Sequence, residues 1–380
     1  MRIQSTRVWL NEQFVPAQLV FDNGKITAIE SYDAQKVDVD YGDKRILPGL
    51  IDIHCHGYNG LDCNYATREG LLNWIEYLPQ DGVTSFLATT STAPESNLLE
   101  SFALISKIID EDHRGAKIQG IHVEGPQISH EFKGAHNPYL IQKPDVDQFD
   151  RYQKAAEGKI KMICIAPEKD DDHALIRYCV SQGVKVAMGH TGAKFDECAK
   201  AIEDGADSFT HTFNGMLGLH HREPGTAGAA MFFEDIYAEL IADGVHVHPA
   251  VASVLGRVKG KDKLILVTDS VSIKGLKPGF YHMKGRDVTV GEDGCGRLPN
   301  GKLAGSSNRM NVLVGNLIEM MKLPLATAIN AATINPAKRM GFARKGLIEA
   351  GFDADLCVLD RKSTRLNSSH PLSSRMPSSA

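Results

Sequence analysis

Residues 51–60 read IDIHCHGYNG, with His54 and His56 one residue apart directly behind an apolar run. In an extended strand successive side chains point to opposite faces, so the two imidazoles share a face while Cys55 points away. That pairing suits a metal ion. Farther along, Glu124 lies in IHVEGP, His190 in AMGHT, His211 in FTHTFN and Asp269 in LVTDS, each at the end of a short apolar run. A histidine alone near a strand end is ordinarily a hydrogen-bonded core or surface residue. A carboxylate behind a buried apolar run is costly unless paired, and a cation relieves that cost. Nitrogen and oxygen donors without thiolates suit Zn²⁺, Fe²⁺, Mn²⁺ or Co²⁺, and affinity order does not choose among them. An ion so held lowers the pKa of a bound water and polarises a carbonyl, which is the chemistry of amide or ester hydrolysis. Asp269 would take the water's proton and return it to the leaving nitrogen.

These positions converge only if the chain brings its strand ends together. Eight apolar runs recur after Pro48: LPGLIDIHCH, GVTSFLATT, KIQGIHVEG, KIKMICIAPE, GVKVAMGHT, ADSFTHTFN, YAELIADGVHV and KLILVTDS. Helical periodicity lies between most of them, as in TREGLLNWIEYLPQ and SNLLESFALISKIIDED. Eight strands alternating with helices predict an α/β fold, the (β/α)₈ TIM barrel, over residues 48–344. Its active sites form at the C-terminal ends of the strands. Two excursions, 214–235 and 274–305, follow strands and so belong at that mouth; the Gly and Pro punctuation of the second predicts hairpins and a flap.

Before the barrel, residues 6–47 alternate apolar and polar positions, and Asn23-Gly24 in FDNGKITAIE marks a hairpin turn. After it, GLIEAGFDADLCVLD alternates like a strand pair. Residues 1–47 and 345–360 are expected to join as a small β-sandwich domain. Residues 361–380, RKSTRLNSSHPLSSRMPSSA, carry no acidic or aromatic residue and read as a disordered or foreign tail. The absence of strands beyond VLD would leave an exposed sheet edge.

Lys and Arg total 42 against 47 Asp and Glu, a net charge of −5 without a basic block, so a nucleic-acid partner is not expected. No stretch approaches the apolar length of a membrane span. The seven cysteines are scattered, with no C-x-x-C spacing, which fits reduced thiols in a cytoplasm.

The H-x-H pair, the histidines ending strands five and six and the aspartate ending strand eight resemble the amidohydrolase superfamily. More closely, PGLIDIHCHG, HVEGP, KGAHNP, GHT, HTFNGM, HHREPG, ADGVHV, VTDS and LAGSS, in this order over about residues 6–360, resemble the N-acetylglucosamine-6-phosphate deacetylase family. The resemblance implies metal-dependent hydrolysis of the acetamide of a phosphorylated amino sugar. It implies Glu124, His190 and His211 as metal ligands, with His54 and His56 forming a second site, so that one or two divalent ions bind. It implies Asp269 as acid/base, and His136 as the residue that polarises the acetamide carbonyl or contacts the sugar. Asn214, Gly215, Arg222 and His246 match positions around the sugar phosphate, and Arg222 would serve a partner subunit's site in a homodimer. Arg222 otherwise reads as a surface ion-pair residue, and His248 as solvent-exposed. The alternatives are the N-acetylgalactosamine-6-phosphate deacetylase, a cyclic-amide hydrolase resembling dihydroorotase, and a sugar-phosphate-binding homologue without turnover.

Overall fold

The computed structural model describes residues 1–283, 286–292, 295–301, 303–359 and 368–372. Its centre is an eight-stranded parallel sheet in sequential order: β1 (Leu50–Cys55), β2 (Val83–Thr90), β3 (Lys117–Glu124), β4 (Ile160–Ile165), β5 (Lys185–Met188), β6 (Ser208–Phe209), β7 (Tyr237–Leu240) and β8 (Leu264–Leu266). Each of the eight apolar runs read from the sequence supplies one strand. Between β8 and β1 the regular ladder is replaced by a seam. Asp269 N–H donates to the His54 carbonyl (2.9 Å), His56 N–H donates to the Ser270 carbonyl (2.7 Å), and the Thr268 hydroxyl donates to Asp52 (2.6 Å). The buried Asp52 carboxylate thus stands in for ladder bonds where the barrel closes.

The outward faces of the strands pack under the surrounding helices, among them Arg68–Tyr77, Glu95–Asp110 and Val146–Ala155. Thr67 and Asp145 cap the first and third of these, accepting the N–H groups of Gly70 and Gln148. The barrel interior holds Ile51, Ile53, Leu87, Met162, Ala187, Ile241, Ile265 and Val267. Its N-terminal end is plugged by the helix Ile334–Met340, tied on by hydrogen bonds from Asn335 to the carbonyls of Lys261 and Leu264.

That helix sends the guanidinium of Arg339 into the interior. It donates to Glu239 on β7 (3.1 Å) and twice to Asp207 Oδ1 (3.0 and 3.2 Å), with no exposed side-chain surface on Arg339 or Glu239. This is a polar layer between the apolar plug and the mouth.

The N-terminal segment folds into strands Arg2–Leu10, Gln13–Asp22 and Lys25–Ser31, the last two joined through Asn23-Gly24 with φ of 48° and 71°. Both residues lie in the left-handed region that a two-residue hairpin turn requires. The expected sandwich takes the form of a seven-stranded mixed sheet. In it Arg2–Leu10 pairs with Val39–Asp40 near its start and with Arg45–Pro48 farther along. Leu356–Leu359 adds to Arg45–Pro48 on one side and to Ser368–Leu372 on the other, so the expected open edge is covered. Ser368–Leu372 lies inside the tail expected to be disordered; residues 361–367 and 373–380 of that tail are outside the described residues.

The excursion after β8 forms a four-stranded antiparallel flap, Gly279–Met283, Arg286–Val290, Cys295–Arg297 and Leu303–Ser306, as its hairpin punctuation predicts. Ser306 returns it to the barrel, donating its N–H to the Asp269 carbonyl (3.1 Å). Among the described residues no helix is long and apolar enough to cross a membrane.

Replacing Arg339 by Met leaves the buried Glu239 carboxylate without its counter-charge, so R339M is expected to lose about 3–5 kcal/mol of stability. Denaturant unfolding of R339M and of the double variant R339M/E239Q checks this, with the second expected to recover part of the loss.

Candidate active site

Strict alternation from Ile51 and Ile53, which face the interior, would turn His54 outward. The pairing of β1 with β2 slips between Asp52 and Cys55: Asp52 pairs with Phe86 and Cys55 with Ala88, so β1 carries one extra residue. This bulge swaps the parity and brings His54 and His56 inward, their Nε2 atoms 3.2 Å apart. The shared face expected of the pair is present, and its direction is set by the bulge.

Glu124, at the end of β3, is the point on which the other groups converge. Its Oε1 lies 3.2 Å from His54 Nε2, 3.2 Å from His190 Nε2 and 3.0 Å from His211 Nε2. Its Oε2 lies 3.3 Å from His56 Nε2 and 3.4 Å from His136 Nε2. Asp269 Oδ1 is 3.2 Å from His56 Nε2 and 3.7 Å from His54 Nε2.

His190, His211 and Asp269 each sit just past a strand, with φ of 45°, 26° and 46°. Left-handed backbone costs a residue with a Cβ about 1–3 kcal/mol, and such strain collects at functional sites. Here it ends the strands early and turns the side chains over the mouth. Two glycines make room: a Cβ on Gly215 would lie 2.8 Å from His190 Nδ1, and one on Gly134 would lie 3.1 Å from His190 Cε1.

The outer nitrogen of every imidazole in the cluster is engaged. His54 Nδ1 is 3.1 Å from Glu239, His56 Nδ1 3.1 Å from the Thr89 carbonyl, His190 Nδ1 2.9 Å from the Phe132 carbonyl, and His211 Nδ1 3.1 Å from the Asn214 carbonyl. Oxygen acceptors there place the proton on Nδ1, so each neutral ring presents an Nε2 lone pair inward. Lone pairs and a carboxylate about 3 Å apart repel one another, yet that is the spacing of ligand edges around an ion bonded at about 2.0–2.2 Å. His54, His56, Glu124, His190 and His211 therefore fit a divalent cation, with outer partners of the kind that orient metal-binding histidines.

The electrostatics make the same demand. Burial pushes Glu124 up, but the His54 and His190 rings pull it well below the usual carboxylate range. Burial works against charge on His56, yet its hydrogen bonds with Asp269 and Glu124 push it up to about 9. Burial pushes Asp269 up, but its contact with His56 and the positive charge that His54 and His56 can carry outweigh that and hold it at about 2. The cluster calls for positive charge.

His136 differs. Its Nδ1 accepts the Thr92 backbone N–H (3.2 Å), which leaves the ring proton on Nε2. Burial and the neighbouring His190 push its pKa down to about 4, so it is a neutral donor at the mouth.

These groups open into a cavity of about 330 Å³, lined by His56, Glu124, His136, His190, His211, Asn214, Gly215, His246 and Asp269. One wall is apolar, with Val271 and Ile273 joined by Met283, Val288, Leu298 and Leu303 of the flap. His54 lies beneath, fully buried. Arg222 stands apart: it is exposed, bonded to His221 (2.8 Å), and lines no part of this cavity. His248 is exposed as expected and caps the helix Pro249–Lys263.

Three contributors escaped the sequence reading. Glu239 in YAELIADG carries the signal that singled out Glu124, a carboxylate in an apolar run. Thr92 and Arg339 carry no local signal, because their partners are distant in sequence.

With this geometry established, a sequence profile of the Amidohydrolase family matches residues 45–376. The chain belongs to this family. Among curated amidohydrolase relatives, the N-acetylglucosamine-6-phosphate deacetylase of Bacillus subtilis (strain 168) is 40% identical, covering 83% of this chain and 81% of the relative. The N-acetylgalactosamine-6-phosphate deacetylase of Escherichia coli O157:H7 is 34% identical, covering 94% and 93%. Among solved structures, a mutant N-acetyl-D-glucosamine-6-phosphate deacetylase of Mycobacterium smegmatis in complex with N-acetyl-D-glucosamine-6-phosphate superposes with a TM-score of 0.89. It is 32% identical and covers 95% of each chain.

Because Glu239 orients His54, E239Q is expected to weaken metal binding by about 10- to 100-fold. Chelator competition on the folded variant measures this; unchanged affinity would mean that His54 is not a ligand.

Proposed function

We propose that this amidohydrolase removes acetate from N-acetylglucosamine 6-phosphate, giving glucosamine 6-phosphate. The observation that carries the reading is a carboxylate base and a neutral imidazole donor that both border one metal-binding cluster. Asp269 lies beside His56, and His136 faces the Glu124 oxygen that His56 also approaches. His54, His56, Glu124, His190 and His211 would hold a divalent cation, as one or two ions, which would supply Lewis-acid polarisation of the amide carbonyl and a lowered pKa for water.

The remaining work belongs to the chain. Asp269, ionised, accepts the proton of the attacking water at Oδ1 and returns it to the leaving nitrogen. His136 donates its Nε2–H to the acetamide oxygen, with Thr92 fixing the tautomer. The apolar wall seats the acetyl methyl and excludes water, while Asn214, Gly215 and His246 receive the sugar phosphate.

A role for Asp269 as a base supports turnover over binding alone, since binding a sugar phosphate requires no such group. Glu124 offers a direct carboxylate, which supports the deacetylase over the cyclic-amide reading. The E. coli relative, which covers as much of this chain as the glucosamine-type relatives do, supports testing the galacto epimer beside the gluco substrate.

Arg222 we assign to the phosphate of a second copy's site in a homodimer. Its exposure outside its own cavity supports this, as do Leu219 and Phe232 nearby, 60% and 67% exposed. All seven cysteines are buried as thiols, which suits a cytoplasmic setting.

D269N is expected to lower kcat about 10²- to 10⁴-fold with metal retained. Acetate release assayed with metal analysis checks it, and full activity in the variant would remove Asp269 from the mechanism. Chelation should abolish turnover, and a divalent metal should restore it. R222A mixed with D269N should regain activity through hybrid dimers; a mixture no better than R222A alone would place Arg222 outside the partner's site.

A further inference from the structure

The segment after β7, ADGVHV, carries a carboxylate to which the mechanism assigns no role. Asp243 is 2% exposed in its side chain, and five donors among the described residues meet it. Its Oδ1 accepts the backbone N–H groups of Val245 and His246, both at 2.8 Å. Its Oδ2 accepts His246 Nδ1–H (2.6 Å), the Asn308 side-chain amide (3.1 Å) and the Cys295 thiol (3.8 Å). Cys295 lies within the flap, and Asn308 stands just beyond the flap's last strand.

Asp243, His246 and Cys295 lie close enough to one another to hold a cation. The carboxylate, however, is already saturated by five donors, so the group needs no ion to be satisfied. What it does is fix geometry. With Nδ1 committed to Asp243, Nε2 is the nitrogen that His246 can offer to the cavity it lines.

We propose that Asp243 is the positioning residue for phosphate recognition: it holds His246 with Nε2 toward the cavity and ties the flap to the same carboxylate, so that substrate capture and flap seating depend on one side chain. This rests on the assignment of His246 to the sugar phosphate. The charges facing His246 agree with it. Burial works against an imidazolium there, and Arg297 adds to that, but Asp243 and Asp269 raise its pKa and favour the cationic ring that an anion prefers. Asp243 stays ionised because the His246 hydrogen bond and charge outweigh its own burial.

The isosteric change D243N tests this sharply. The two backbone N–H groups at Oδ1 require the amide oxygen, so the new NH₂ falls where Oδ2 stood. It then faces three donors, and His246 must turn or change tautomer. Losing a charge-assisted bond of this kind corresponds to about a 10- to 100-fold effect. The expected result is a rise of that size in KM for N-acetylglucosamine 6-phosphate, weaker inhibition by inorganic phosphate, and a fall in kcat of less than about threefold.

In an H246A background the same change should add no more than N308A does, because only the flap contacts of Asp243 then remain to be lost. N308A, which removes only a flap contact, should raise KM by less than D243N and provides a test should D243N fail to fold. An unchanged KM in D243N, an equal loss in kcat and KM, or full additivity with H246A would overturn the proposal. Wild-type protein that releases no acetate from this substrate would overturn the proposed function instead.

Discussion

Four imidazole nitrogens, from His54, His56, His190 and His211, and two carboxylates, Glu124 and Asp269, crowd the barrel mouth, each between 3.0 and 3.3 Å from at least one of the others. Electron-rich atoms at that spacing repel unless positive charge lies among them, and the surrounding protein is built to resist that repulsion. Outer acceptors lock each ring, the strained backbone at three strand ends aims the groups inward, and glycines clear the space they need. Without the cation for which they are arranged, these features would be cost without return.

The same constraint explains the layering of the barrel. An apolar plug seals the N-terminal end, and Arg339 with Asp207 and Glu239 forms a polar layer above it. Glu239 then hands orientation on to His54. A carboxylate so deep in the barrel is tolerable because Arg339 neutralises it, and it is useful because it fixes which nitrogen His54 turns upward. Stability and reactivity meet in this one chain of contacts.

On the other side of the site, the flap and the seam do related work. The seam at which β8 meets β1 places Asp269 and His54 in direct backbone contact, and the flap returns through Ser306 to the Asp269 carbonyl. Movement of the flap would therefore be felt by the proposed base. Asp243 joins the flap to His246 in a comparable way, so both ends of a bound substrate would be sensed by one lid.

Much of this was legible in the sequence. The eight apolar runs, the Asn23-Gly24 hairpin, the flap and the cluster of His54, His56, Glu124, His190, His211 and Asp269 follow from periodicity, turn chemistry and polar residues at strand ends, all of which are local signals. Tertiary structure decided what depends on contacts between distant segments. The bulge that turns His54 inward rests on slippage against β2, the tautomer of His136 on Thr92, and the charge balance of Glu239 on a helix 100 residues away. The position of Arg222 outside its own cavity is likewise set by a loop whose path the sequence does not encode locally. Periodicity reports which face a residue prefers; only the packed chain determines which groups share that face.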